Sequence, residues 1–405
     1  MADNGRVSVQ AALALIEASV RPLERSEIVP VGAGAIGCLT AADVHVRRDV
    51  PPADVSAMDG FALRSADVWN ASADLAIGLR LAPPIPAGSG PRLLLPGEAA
   101  PISTGAVVPS GADAVLVKER AKVADGALVL SEAVDAGANV RIRGEDFRTG
   151  SLLLARGSML TAEAIGALAA CGIRDVVVRS MPSIALWSTG SELVGEDGGA
   201  FEPGTIDSNR PMIEAACAEA RIPCHFMGRV RDDLTEATAL FTQAMSSPIG
   251  DILVTTGGIS AGDYDFVRSA LEERGGKVLF HGMNMRPGKP LLFALLPDGR
   301  PFFGLPGNPV SALVGFRFFV ATAIRRMLGL GREAGVPVET DAAARAGMTL
   351  FLKGQRIDSR WTTEGLDQRS HVLSSVLAAD GWLRVEQSED GAASSSVFPK
   401  AVTLL

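Results

Sequence analysis

Apolar residues follow three rhythms along the chain, and each predicts a different kind of structure. Residues 8–20 (SVQAALALIEASV) read as an amphipathic helix. From about 46 to 140 the apolar runs are short, such as 93–95, 114–117 and 127–130, with Pro and Gly between them, the pattern of small β-structure. A helix is expected to start at Thr161 as N-cap, run through AEAIGALAAC and stop at Gly172, with a strand over 173–178. From 183 to about 328 strands and helices alternate. The strands are predicted at 183–187, 224–228, 251–255, 278–281, 291–295 and 301–304, and the helices at 211–220, 234–245, 266–274 and 309–327. Such alternation predicts a mostly parallel sheet covered by helices. Beyond Arg332 the helical rhythm is lost, and a small β domain ending at 402–405 is expected, with the polar segment 386–396 as a loop. No solenoid-type repeat is found.

The pattern therefore describes an α/β multidomain protein. A central, mostly parallel α/β domain (181–328) is expected beside two small β domains (46–144 and 332–405) and a discontinuous N-terminal helical and β domain (1–45 with 145–180). A length of 405 residues suits this count, at roughly 100–200 residues per domain. The 44 glycines and 24 prolines suit a globular chain rich in tight turns. With 38 basic and 46 acidic side chains the net charge is −8, which argues against nucleic acid or an anionic membrane as partner. The most apolar stretch, 310–324, is interrupted by Arg317 and falls short of the ~18 residues of a membrane span. The start, MADNGRVSVQ, has neither the basic nor the apolar region of a signal peptide, and the scattered cysteines suit a reducing cytoplasm, the location expected.

The four cysteines and four histidines are scattered, without zinc, haem or iron–sulfur spacing. Cys217, Cys224 and His225 imitate a soft-metal cluster but read better as buried thiols beside a strand. Any metal chemistry should use oxygen ligands. GAGAIG (32–37) matches a dinucleotide fingerprint, yet Pro30 interrupts the strand that should precede it and no βαβ unit follows, so a turn is expected. GMNMRPGKP (282–290) resembles a phosphate loop, but five residues separate its glycines and Pro290 follows Lys289. Arg286 and Lys289 still flank a rigid Pro-Gly turn, and two fixed cations beside backbone N–H groups suit a phosphate or another oxyanion.

Three further loops follow predicted strands: STGSEL (188–193), TTGGISAGDYDF (255–266) and GLPGNPVSAL (304–313). Ligands of open parallel sheets bind beyond the carboxyl ends of the strands, where such loops gather. Thr256, Gly257, Gly258 and Ser260, with Pro306, Gly307 and Asn308, are candidates for an anion cradle. Asn308 and Pro309 read as N-cap and first residue of a helix whose N–H groups would face the anion. The same loops carry Glu192, Asp263 and Asp265, with Asp232 and Asp233 at a nearby helix start. Carboxylates beside a phosphate cradle need a bridging cation, and Mg²⁺ is the natural one. Helix capping is the plainer role for one of Asp232 and Asp233. Outside this region, Asp59 precedes Gly60, Thr104 precedes Gly105, and Asp146 follows Gly144 by two, all readable as turns.

In their order, SAMDGFAL, ISTGAVVPSGADAVLVKE, VRIRGEDFRTGSLLL, STGSEL, IDSNRPM, TTGGISAGDYDF, RPGKP and GLPGNPVSAL resemble the molybdopterin molybdenumtransferase family (MoeA and the gephyrin E domain) over about residues 8–325. LDQRSHVLSSVLAADGWL extends the resemblance into the C-terminal domain. The resemblance implies an elongated homodimer, an α/β domain of the molybdopterin-binding type and an active-site cleft shared between subunits. It implies that adenylylated molybdopterin and molybdate give molybdenum cofactor, with AMP released in a Mg²⁺-dependent step. The adenylyltransferase of the same pathway and apo-molybdoenzymes would be its protein partners. Carried over by position, Asp59, Thr104, Arg141 and Asp146 would face the cleft from one side. Glu192, Asp232, Asp263, Asp265, Arg286, Lys289 and Ser370 would face it from the other. Asp59, Asp146, Glu192, Asp265 and Lys289 would be catalytic, and Glu192, Asp232, Asp263 and Asp265 would hold the metal. The pterin dithiolene would supply the soft ligands for molybdenum, so the protein needs no thiol. The chain departs from the family at Ser191, often Asp, and at Lys353, where an Arg is expected; Lys keeps the charge but loses the bidentate fork. The alternatives are an adenylyltransferase acting one step earlier and a non-catalytic pterin-binding scaffold.

Overall fold

Strand Ile184–Thr189 (β1) is buried at every position, without the alternation of a half-exposed strand. So are Ile252–Thr256 and Pro301–Leu305. A strand buried on both faces must lie inside a sheet covered on both sides. In the computed structural model these three are the interior of a six-stranded sheet; the structure describes residues 6–194, 204–246, 249–259, 266–387 and 393–402. In chain order its strands are β1, Cys224–Val230 (β2), Ile252–Thr256 (β3), Lys277–His281 (β4), Leu292–Leu295 (β6) and Pro301–Leu305 (β7); the short strand Met285–Arg286 (β5) belongs to another sheet. The spatial order is β2-β1-β3-β7-β6-β4. Pairs β1–β2, β1–β3 and β3–β7 are parallel, and only β6 runs against its neighbours. The mostly parallel α/β sheet expected from the alternation is present.

Helices Asn209–Glu219 (α1), Leu234–Ser246 (α2) and Phe266–Glu273 (α3) connect the strands. Their buried residues fall at helical spacing: Ala237, Leu240, Phe241 and Ala244 in α2, and Val267, Ala270 and Leu271 in α3. Phe241 meets Phe302 of β7 edge to face, with ring centroids 5.2 Å apart. After β1 the chain passes through α1 to β2 on one side of β1, then through α2 to β3 on the other. That reversal makes the carboxyl end of β1 a topological switch point, where open α/β sheets form their ligand crevice.

The apolar stretch near 310–324 forms a buried helix, Pro309–Gly315 continued by Ala321–Met327 through one wide turn at Phe316–Val320. Among the described residues no helix is long and apolar enough to cross a membrane. Arg317, 1% exposed, fits here because it is paired: its two terminal nitrogens reach Glu333 at 2.6 and 2.8 Å, and Nε donates to the Pro399 carbonyl. The first helix, Val9–Ser19, is capped by Ser8 and lies by Ala321–Met327, where Arg326 Nε donates to the Glu17 carbonyl.

The C-terminal sheet is built on Thr349–Ile357 (β8), Gly381–Gln387 (β9) and Ala393–Pro399 (β10). In the segment 386–396, expected as a loop, the described residues 386–387 and 393–396 are strand: Glu386 pairs with Ser394 and Arg384 with Ser396. Its serines follow the ladder because backbone pairing, not side-chain polarity, holds that strand. Strand β5 also joins this sheet, with Met285 opposite Thr349 and Arg286 opposite Leu350.

Residues up to Arg25 and from Arg179 onward form one compact unit, and Ser26–Val178 another. The second unit contains a six-stranded β-sheet in the order 114–117, 60–63, 98–102, 77–81, 127–130, 122–124. The run 93–95 adds no strand to it; Leu93 makes an isolated bridge to Ser110, and Leu93 and Leu95 are exposed. Segments 44–45 and 152–154 pair in the same unit, and Thr161 caps Ala162–Ala170 as expected. GAGAIG is a short turn, with no helix to complete a βαβ unit.

A buried guanidinium stripped of its carboxylate or of its packing is costly. Arg317→Ala should lower the stability measured by urea unfolding by about 3–5 kcal/mol. Arg317→Met, which refills the volume, should recover part of that loss.

Candidate active site

The loops beyond the carboxyl ends of β1, β2, β3 and β7 enclose a cavity of about 650 Å³, a size that suits a small-molecule ligand. Its wall includes Glu192, Asp232, Thr256, Gly257, Gly258, Pro306, Gly307 and Asn308, all expected at the site from the sequence. The glycines are required by the protein's own packing. Gly257 has φ +93°, and a Cβ there would lie 2.3 Å from the Thr189 carbonyl oxygen; one on Gly258 would lie 2.7 Å from Thr189 Oγ1. Thr189 Oγ1 in turn donates to the Thr256 carbonyl at 3.1 Å. The ends of β1 and β3 are thus locked backbone to backbone.

The two adjacent acids at the start of α2 separate cleanly. Asp233 Oδ1 accepts from the N–H groups of Thr235 and Glu236 and is a helix cap. Asp232 turns to the first loop instead: its Oδ2 accepts from the Ser191 N–H at 3.1 Å, and its own N–H donates to Ser191 Oγ at 3.0 Å. Ser191 therefore forms a reciprocal clasp with Asp232, which fixes that carboxylate beside the loop carrying Glu192. Ser260, Asp263 and Asp265 lie outside the described residues.

The helix start at Asn308 differs from the expected open anion cradle. Asn308 makes no capping bond to its own helix; its Nδ2 donates to Ser370 Oγ at 3.2 Å. The Val310 N–H is taken by the Ser370 carbonyl at 3.0 Å. Proline contributes no N–H at 309, so this turn holds the C-terminal loop rather than presenting a row of donors.

Around that contact lies a second cavity of about 470 Å³, lined by Arg286, Lys289, Gln368, Arg369, Ser370 and Met348 among others. Pro290, Asn308 and His371 line both cavities. Arg286 and Lys289 are exposed, and β5 fixes the turn between them through its register with β8. Arg369 is tied to Asp367: its side chain and then its backbone N–H hold that carboxyl at about 2. Lys353, expected at the oxyanion contact, is 1% exposed and donates from Nζ to the Arg369 carbonyl at 3.1 Å. Strand β8 turns it inward, away from both cavity walls.

In the other unit, Asp59 and Thr104 form a pair. Asp59 Oδ1 accepts from the Thr104 N–H at 2.8 Å and from its hydroxyl at 3.0 Å, and Lys118 Nζ lies 3.8 Å from Oδ2. These bonds, the backbone one first, hold the exposed Asp59 carboxyl below its ordinary value. Gly60 after it is obligatory, since a Cβ would fall 2.0 Å from the Leu116 carbonyl oxygen of the adjoining strand. Arg141 sits opposite Val55 on a short strand, and the Asp146 N–H donates to the Val50 carbonyl; both side chains are exposed.

Sequence reasoning passed over Thr189, Asp207, Asn209 and His371, which also line the cavities. Asp207 is buried, with Oδ1 accepting from the Arg210 N–H and Oδ2 3.9 Å from Arg229 Nε. Asn209 Nδ2 donates to the Gly307 carbonyl at 2.8 Å and joins the first and last loops. The available signal was the block IDSNRPM, whose polar residues stand at a helix start. Cys217 and Cys224 are neighbouring thiols: the bond between them, then burial, raises Cys217, while Cys224 is lowered by the same bond. Among the described residues no group of three or more His, Cys, Asp and Glu is arranged to hold a metal.

Removing the Thr104 hydroxyl should loosen the hold on Asp59 while the Thr104 backbone N–H keeps the larger share of it. In Thr104→Val the Asp59 pKa, followed by carbon NMR, should rise only part of the way toward the ordinary aspartate value. In the unsubstituted protein the clamp should persist below that value and open only as pH falls through the lowered pKa.

Comparison with known proteins agrees with this architecture. Residues 7–172 match the MoeA N-terminal region (domain I and II), and residues 185–326 match the probable molybdopterin binding domain. The molybdopterin molybdenumtransferase of Nostoc sp. is 37% identical over 311 residues, 76% of this chain and 70% of that protein. The one from Synechococcus elongatus is 34% identical over 398 residues, 95% and 96% of the two chains. A crystal structure of the molybdopterin biosynthesis MoeA protein from Pyrococcus horikoshii superposes with a TM-score of 0.83 at 29% identity, covering 97% of this chain and 99% of that one. The chain belongs to the molybdopterin molybdenumtransferase family.

Proposed function

We propose that the protein is a molybdopterin molybdenumtransferase that converts adenylylated molybdopterin and molybdate into molybdenum cofactor, with release of AMP. The observation that carries this reading is the pairing of two adjoining cavities. One is lined by carboxylates and backbone turns at the switch point, the other by Arg286 and Lys289, with Pro290, Asn308 and His371 common to both. A substrate that carries a phosphoanhydride and meets an oxyanion needs such a division.

In this reading the pterin and its phosphates occupy the larger cavity, against Thr256, Gly257, Gly258 and the turn at Pro306–Asn308. Arg286 and Lys289 hold the oxyanion by charge-assisted hydrogen bonds, close to where the dithiolene sulfurs take the metal. Glu192 and Asp232 fit Mg²⁺ by donor type, since both are exposed carboxylates on the cavity wall and no thiol accompanies them; Asp263 and Asp265 are proposed as further ligands. Bound there, Mg²⁺ would neutralise charge developing on the phosphate oxygens. Glu192 would orient a water in line with the phosphorus and take up its proton as the P–O bond breaks, the electron pair leaving with AMP. A homodimer is proposed in which the partner subunit's Asp59 and Thr104, with Arg141 and Asp146, complete the cleft. Soluble enzymes of cofactor assembly, including the adenylyltransferase and apo-molybdoenzymes, are the proposed partners, and cytoplasm the proposed location.

Reconstitution tests the reading. Purified protein, adenylylated molybdopterin, Mg²⁺ and molybdate should release AMP and activate an apo-molybdoenzyme. Asp265→Asn and Lys289→Ala should each slow turnover by more than about tenfold, or about 1.4 kcal/mol of barrier, without unfolding the protein. Rapid pyrophosphate release from ATP without molybdate would show the adenylylating activity instead. Substrate binding without AMP release would reduce the protein to a scaffold. If the cleft is shared, two variants each defective on a different side, Asp59→Asn and Lys289→Ala, should be inactive alone and regain activity when refolded together.

A further inference from the structure

Lys353 is the least expected side chain near the cation-bearing cavity. A lysine is seldom fully buried without a partner that satisfies its charge, yet this one is 1% exposed in the interior of β8. Burial, its largest influence, lowers its pKa, and the Asp367 carboxylate opposes that effect. Its ammonium reaches the Arg369 carbonyl at 3.1 Å. Its backbone is engaged by the same loop: the Lys353 N–H donates to Gln368 Oε1 at 2.9 Å, and Gln368 Nε2 donates back to the Lys353 carbonyl at 3.0 Å. One residue further along, Ser370 meets the turn at the start of the buried helix, through the Val310 N–H and Asn308 Nδ2. Lys353 is not among the side chains lining either cavity.

We propose that Lys353 is a positioning residue: with Gln368 it braces the 366–371 loop from behind, so that Ser370 and His371 stay in the wall of the oxyanion cavity, while the oxyanion itself is held by Arg286 and Lys289. This rests on the reading of that cavity as the molybdate site. It departs from the role that charge alone suggests, in which Lys353 touches the oxyanion. A brace and a ligand differ in what else reproduces their loss. Gln368 carries no charge and, although it lines the cavity, its amide is engaged by the Lys353 backbone and the Leu366 carbonyl, so its removal should mimic the removal of Lys353.

Equilibrium dialysis of the full-length protein against molybdate alone separates the two roles. Lys353→Met, which keeps the stem and loses the donor, and Gln368→Ala should each weaken binding by about tenfold. In a Ser370→Ala background each should add much less than its own effect, because all three act through one loop. Trypsin should cut after Arg369 faster in both variants, with the far-ultraviolet spectrum unchanged. The proposal is overturned if Gln368→Ala binds as the unsubstituted protein does while Lys353→Met does not, or if cleavage after Arg369 is unaltered in Lys353→Met. Arg286→Ala and Lys289→Ala test the parent reading separately: binding undiminished in both removes the molybdate site, whereas binding lost in both but kept in Lys353→Met removes only the brace.

Discussion

At the carboxyl end of the sheet, β1 and β3 approach so closely that no side chain fits between Thr189 and Gly257; a Cβ there would lie 2.3 Å from a carbonyl oxygen. Everything proposed for the site depends on that contact. It sets two loops side by side, and the Asn209 bond to the Gly307 carbonyl ties in the last. The Ser191–Asp232 clasp brings in the loop after β2. Four separate segments of chain thus meet around one crevice through contacts of their described residues. Preorganisation of this kind is what lets fixed dipoles and charges act on a reacting phosphate without reorganisation at the moment of reaction.

Charge is divided in the same economical way. A chain of net charge −8 is a poor attractor of anions as a whole, so any anion must be met locally. In the proposed reading Arg286 and Lys289 meet it from one short turn, and that turn is set by two sheets. The sheet of the α/β domain supplies the strands on either side of it, and the C-terminal sheet takes Met285 and Arg286 into its own ladder. The carboxylates lie across a wall of Pro290, Asn308 and His371. In the proposed reading that wall stands between the cations and the carboxylates, and the shared residues let one substrate reach both.

The central sheet was legible because its inner strands are short, largely apolar runs and its helices repeat at 3.6. The loops after β1, β3 and β7 were legible for a topological reason, since a parallel sheet leaves them nowhere else to gather. Individual roles were harder. Asp232 and Asp233 are chemically identical neighbours, and only the clasp with Ser191 distinguishes them. Lys353 reads as a charge, and a charge is expected at a surface; its burial follows from the pairing of β8 with β9 and from the loop at 366–371, contacts distant in sequence. Asp207 and Asn209 were read past for a related reason, because capping residues and cavity-lining residues draw on the same polar side chains. The serines of 394–396 looked like a loop, since side-chain polarity says nothing of a backbone ladder.

The central claim is that one crevice binds both reactants, with the oxyanion on Arg286 and Lys289 beside the shared wall. The most direct measurement is the anomalous scattering of molybdenum in a crystal of the protein soaked with molybdate. The account predicts a peak within hydrogen-bonding distance of the Arg286 guanidinium and Lys289 Nζ, facing Ser370. Full occupancy of a site elsewhere on the chain, with this cavity empty of metal, would contradict it.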